Sequence, residues 1–241
     1  MIDFGFSRYT LSVCVAIAML AGCGDAGAGN GVVPTNGGPD HLPNHRSFYY
    51  TGAAQHFEVP AGLRQIDVVA RGAHGAGSSL SDGGRIHAVI PVTPGEKLVV
   101  YVGGDASGTT GGFNGGGGSS GYGRGIGGGG GGATDVREGG TSLSDRIIVS
   151  GGGGGAGQNI GTYGGGTGGM GGGKTGGTGG CVPDRSRSGC ERLGGYGGGG
   201  GTQYGGGQGG GGGSCFTAYG SQGDNGALGV GGNGSGEGSS G

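Results

Sequence analysis

Tryptophan is absent from this 241-residue chain, aromatic residues make up 6% of it and charged residues 12%. The formal net charge is only −2. A chain this neutral has no electrostatic reason to seek nucleic acid or an anionic membrane surface. No stretch offers an amphipathic helix of ordinary length. Collagen is excluded as well, because the strict glycine period and abundant proline of that fibre are missing, with 7 prolines in all. What the chain has instead is glycine, 81 residues of it, and only 16 of those fall within the first 100 positions.

The amino terminus carries an address. Arg8 supplies a positive charge, Tyr9 to Ala21 form an apolar stretch of signal-peptide length, and Ala21 and Gly22 are the small residues a cleavage site wants. The stretch is too short to span a bilayer. The run LAGC at Leu20 to Cys23 resembles the bacterial lipoprotein signal, which implies lipid on Cys23, removal of residues 1–22 and a membrane link made through that lipid alone. An ordinary secretory signal is the alternative, and either way the chain is expected outside the cytoplasm. Residues 23–45 carry Pro, Gly and Asn without apolar periodicity and read as a flexible tether.

From residue 46 the pattern turns to short runs with β-branched enrichment, the signature of half-buried strands. SFYY and QHFEV come first. Ile66, Val68 and Ala70 alternate on one face of LRQIDVVARG, as do Ile86, Ala88, Ile90 and Val92 of RIHAVIPV and Leu98, Val100 and Val102 of KLVVYVGG. Two further strands are predicted inside the glycine-rich part, at Ala133 to Glu138 and Asp145 to Ser150. Fixing a glycine costs more backbone entropy than fixing any other residue, so the strand core cannot by itself order the glycine runs. Runs of similar length, such as 127–132 and 151–155, suit three-residue-per-turn helices of the polyglycine II type, packed side by side through main-chain hydrogen bonds. The expected fold is therefore mainly β, an antiparallel jelly-roll-like β-sandwich with a polyglycine II helix bundle over residues 46–158, followed by a glycine-rich extension at 159–241.

FEVPAGLRQIDVVARGAHGAG, VTPGEKLVVYVGG, GGFNGGG, GGGGGGATDVRE and DRIIVSGGGGGAG, in that order, resemble the glycine-rich domain in the ectodomains of anaplastic lymphoma kinase and leukocyte tyrosine kinase, and are similar to secreted bacterial glycine-rich proteins. The resemblance implies a β-sandwich combined with glycine helices and a role in binding protein ligands. It carries no kinase activity, since no catalytic loop is present.

Other motifs weigh less. Cys181 and Cys190, flanking VPDRSRSG, suit a local disulfide in an oxidising compartment, leaving Cys215 free, buried or linking two chains; Cys190 with Cys215 is the competing pair. GGMGGGKT at 168–175 matches a phosphate-binding loop through Lys174 and Thr175, but the strand before it and the helix after it are missing. Gly117, Ser119 and Gly121 match a hydrolase elbow without its helix. His41 and His45 flank Pro43 and read as solvated linker, and His56, His74 and His87 as surface. Asp82, Asp105, Asp135 and Asp145 have calcium-type chemistry without the calcium-binding repeat; Asp135 and Asp145 are better placed to cap turns or pair with Arg137 and Arg146. Tyr122, Tyr163, Tyr196, Tyr204 and Tyr219 each adjoin glycine and read as seals of the bundle, or else as rings for sugars or partner aromatics. The functional expectation is a lipid-anchored envelope protein, non-enzymatic, without metal or cofactor, that binds an extracellular protein or glycan; a mechanical spacer or coat component is the alternative, and a nucleotide-binding enzyme the remote one.

Overall fold

The computed structural model describes residues 1–6, 45–77, 81–119, 127–157, 166–172 and 176–177, together with the backbone of 214–215 and 218–219. Eight strands form two four-stranded antiparallel sheets. The first runs in the order β2 (His45–Phe48), β1 (Ile2–Gly5), β4 (Gln65–Arg71), β5 (Arg85–Pro91); the second runs β3 (Gln55–Glu58), β6 (Lys97–Tyr101), β7 (Thr134–Glu138), β8 (Arg146–Ser150). A short pair, β9 (Ser214–Cys215) with β10 (Ala218–Tyr219), stands apart. One 3₁₀ turn, Leu143–Asp145, is the sole helical element among the described residues. No helix there is long and apolar enough to cross a membrane.

The alternation read from the sequence maps onto the sandwich core. Ile66, Val68 and Ala70 of β4 are fully buried, facing Leu98 and Val100 of β6 and Val136 of β7, while Val89 of β5 points outward with 56% of its surface exposed. Period-two side-chain direction makes this outcome local: once one residue of a strand faces the partner sheet, its second neighbours must follow. Four rings complete one end of the core. Phe4 packs edge-on against Phe48 and Phe57, at 5.2 and 5.0 Å between centroids, and Phe6 stacks on Phe57 at 5.7 Å.

The amino terminus differs from the sequence reading. In the full, unprocessed chain the first residues of the expected leader, Ile2–Gly5, are an inner strand, paired antiparallel to β2 on one side and to β4 on the other. Ile2 and Phe4 are completely buried. The physical reason is local: Ile2, Phe4 and Phe6 are apolar at every second position, which is strand periodicity. The tether likewise ends one residue sooner, since His45 opens β2.

The described glycine segments next to the strands leave the sandwich at one end, the ends of β4, β6 and β8 and the beginnings of β5 and β7, which antiparallel pairing brings together. There they form the expected bundle. In segment 127–132 successive amides point to different neighbours with a period of three: Gly128 and Gly131 donate to Ala156 and Gly153, Gly129 and Gly132 to Gly108 and Gly104, and Gly130 to Gly117, at 2.8–3.0 Å. That is the hydrogen-bond signature of a three-fold helix. A closed ring of three segments results, because Ala73 and Ala76 donate to Gly132 and Gly129, and Gly153 and Ala156 donate back to Ala73 and Ala76. A fourth segment joins in the same period: Gly151, Gly154 and Gly157 donate to Gly172, Gly169 and Gly166. Part of the 159–241 extension thus belongs to the bundle.

At most positions of segments 127–132 and 151–155 only glycine permits this spacing. A Cβ built on Gly128 would overlap the Ala76 carbonyl, and one on Gly155 the Gly128 carbonyl. Two buried hydroxyls weld bundle to sheets: Ser150 Oγ donates to Gly84 O at 2.6 Å and accepts from Gly72 N at 3.2 Å, and Thr134 Oγ1 accepts from Gly103 N at 3.0 Å.

Candidate functional site

The outer face of the second sheet carries the densest group of polar and aromatic side chains. Asp135 and Arg137 lie two apart on β7, hence on the same face, and a register shift between Val136 and Arg137 sets Arg137 opposite Arg146 of β8. Asp135 is completely buried and takes both guanidinium groups. Arg137 Nε donates to Oδ1 at 2.7 Å, and Arg146 Nε lies 2.7 Å from Oδ2. Burial pushes the Arg146 guanidinium below its ordinary value, and the Asp135 carboxylate opposes that shift.

Asn114 organises the cluster from above. Its backbone adopts φ 68°, a left-handed conformation that asparagine tolerates better than most residues. So held, its amide donates to Asp135 Oδ2 at 2.8 Å and to Ala133 O at 2.7 Å, while its oxygen accepts from Arg137 and Arg146 at 3.2 and 3.3 Å. Arg137 also reaches the Thr141 carbonyl, and its Cζ sits 3.9 Å from the centroid of the Tyr101 ring, close enough for a cation–π contact.

Aromatic rings continue outward from this base. Tyr101 stacks on Phe113 at 6.4 Å, and Phe113 meets Tyr50 at 6.1 Å. The Tyr50 ring lies over Gly104, where a Cβ would strike it at 2.8 Å. Tyr50 is 55% exposed and its neighbour Tyr49 63%. Together Tyr50 and Phe113 make a ledge of rings over glycine backbone, with Tyr101 and the ion-pair network beneath. Ledges of this kind stack against sugar faces or partner side chains.

The predicted site residues distribute as follows. Asp135 does pair with Arg137 and Arg146, and Asp145 Oδ2 accepts from the Ser142 backbone at 2.8 Å, capping the 3₁₀ turn. The four aspartates do not converge: Asp82 lies 3.1 Å from His74 Nδ1, and Asp105 accepts from the His74 backbone at 2.8 Å. Among the described residues no group of three or more His, Cys, Asp and Glu is placed to hold a metal. His87 pairs with Asp67 at 2.6 Å on the outer face of the first sheet, and His45 and His56 are exposed on strands. Ser119 Oγ is engaged with Gly127 O. Gly168 to Gly172 of the phosphate-loop match serve as a bundle segment; Gly171 N donates to Asp82 O and the carbonyls of Gly169 and Gly172 are taken. Lys174 and Thr175 lie outside the described residues, as do Gly121, His41, Cys23, Cys181, Cys190, Tyr122, Tyr163, Tyr196 and Tyr204. Of Cys215 and Tyr219 only the backbone is described, in β9 and β10.

Sequence reasoning missed Tyr50 and Phe113 as a pair. The signal available was the pair of adjacent tyrosines just before a turn, where alternation cannot bury both.

Fold and site together define a class: an antiparallel β-sandwich capped by a main-chain-bonded glycine helix bundle, bearing an aromatic ledge. Comparison with protein families, with curated proteins and with solved structures gives no match.

Proposed function

We propose that this chain is a lipid-anchored cell-envelope protein whose β-domain is a non-catalytic binding module, with the ledge of Tyr50 and Phe113 as its contact surface. The observation that carries the reading is the pairing of an exposed ring, Tyr50, with a fixed base. Rings fixed in advance lose little freedom when they meet a ligand. Anchorage rests on LAGC at Leu20 to Cys23.

A mechanical reading is favoured by a different observation, the dense main-chain bonding of the bundle, which suits a protease-resistant spacer or coat. One experiment separates the two. Immobilised glycans, envelope polymers and extracellular proteins are titrated with the purified protein and with Tyr50→Ala. Saturable binding that falls at least tenfold in the variant supports the module; no saturable binding to any of them favours the spacer. The anchor is tested separately, by mass spectrometry of the amino-terminal peptide for a diacylglyceryl thioether on Cys23, with Cys23→Ser as control.

A further inference from the structure

Removing residues 1–22, as the lipoprotein reading requires, takes an inner strand out of a sheet. Ile2–Gly5 bonds to β2 and β4 along both edges, with Met1 O accepting from Arg71 N at 3.0 Å. Without it two strand edges face each other across an empty lane whose floor is Phe57 and the second sheet. Unpaired edges of this kind accept extended peptides.

The neighbouring strand cannot close the gap. In register, Ile2 lies opposite Phe48 and Phe4 opposite Arg46. Sliding β2 into the vacated lane would set Phe48 where Ile2 was, but would put the Arg46 guanidinium where Phe4 packs on Phe57, inside the core. Arg46 is exposed, with its guanidinium 5.6 Å from the Phe48 ring centroid. Burying that charge without a partner is far costlier than leaving the lane to another chain.

We propose that the lane between β2 and β4 is a strand-acceptor site, filled after processing by an extended segment of a partner polypeptide that runs antiparallel to both strands. Its chemistry is read from the filled site: large apolar side chains at two alternate positions take the places of Ile2 and Phe4, and a third ring follows where Phe6 stacks on Phe57. Polar or small residues suffice between them, as Asp3 and Gly5 show. This inference rests on the lipoprotein reading for its vacancy, but its test does not pass through Cys23.

The full-length chain with Ile2→Asp and Phe4→Asp expels its own β1, because two carboxylates cannot occupy completely buried apolar positions. A peptide of residues Met1–Phe6, labelled at its carboxyl end, is then titrated. The expected result is one saturable site, at least tenfold tighter than on the wild-type chain, and none for the same peptide carrying both aspartates. Equal uptake of the two peptides, or no uptake by a variant whose bundle amides remain protected from exchange, overturns the site. Should the variant fail to fold, the wild-type chain serves. Arg8 is the first Lys or Arg in the chain and Arg46 the next, so limited trypsin can free Met1–Arg8. The octapeptide is expected to co-elute with the domain and to be displaced by excess labelled peptide; immediate loss, or retention without displacement, overturns the site. An unmodified Cys23 with normal peptide uptake would instead sink the anchor and leave the lane to be vacated by ordinary secretory cleavage.

Discussion

Adding one methyl group at Gly155 tests the bundle directly. Gly155 has no left-handed backbone conformation to forbid alanine; the obstacle is the Gly128 carbonyl, which a Cβ would overlap, with Gly129 O a further 2.8 Å contact. To make room, segments 127–132 and 151–157 must separate. That strains the bonds from Gly128 N to Ala156 O and from Gly131 N to Gly153 O, each now 2.8 Å. Overpacking costs about 1–3 kcal/mol, and each weakened hydrogen bond adds roughly 0.5–1.5 kcal/mol. The sum is on the order of 2–6 kcal/mol, a fall in melting temperature on the order of 10 °C. Gly130 is the control, for its Cβ would find nothing nearer than Gly153 O at 3.5 Å. Gly130→Ala should cost nothing and can stabilise by about 0.4–1 kcal/mol, since alanine has less freedom to lose on folding. Thermal unfolding of both variants gives the stabilities, and hydrogen exchange at Ala76, Gly153 and Ala156 shows whether damage is confined to the ring. Equal melting temperatures for Gly155→Ala and Gly130→Ala would refute the close-packed three-fold helices, whatever the sheets do.

Three further outcomes are expected. Asp135→Asn leaves two buried guanidinium groups without their counter-charge and should destabilise by about 3–5 kcal/mol, read by chemical denaturation. Glu138 shares a hydrogen bond and like charge with Glu96, and this contact raises its carboxyl above the usual range; the stability it contributes is present at acid pH and lost as pH rises through the raised value, so Glu138→Gln should gain stability at pH 7 and gain nothing near pH 3. The Met1 ammonium is lowered chiefly by burial, so the unprocessed chain should gain stability as pH rises through that lowered value toward about 8, the ordinary value, and amino-terminal acetylation should abolish this dependence. A pH profile unchanged by acetylation would show that Met1 does not dock in the sheet.

Much of the architecture is legible because its causes are local. Alternation at Ile66, Val68 and Ala70, or at Leu98, Val100 and Val102, assigns a buried face wherever the partner strand turns out to be. Glycine runs announce three-fold helices for the same reason: without a Cβ the main chain alone decides the packing. The site is less legible. Asp135 and Arg137 stand two apart and are readable as a pair, but Arg146 and Asn114 join them only through the β7–β8 register and the loop that folds over it. Tyr50 and Phe113, 63 positions apart in the chain, meet only because Gly104 lets the backbone lie beneath a ring.

The sequence by itself determined the strands from β2 to β8, the buried face of those that alternate and that the glycines must cohere through their amides and carbonyls. Tertiary structure alone decided which amide meets which carbonyl, and that Ile2–Gly5 is an inner strand of the first sheet. A residue without a side chain carries no mark of its neighbour, and an alternating hexapeptide fits any open edge; in both cases the partner is chosen by closure in space, after local conformation is already fixed.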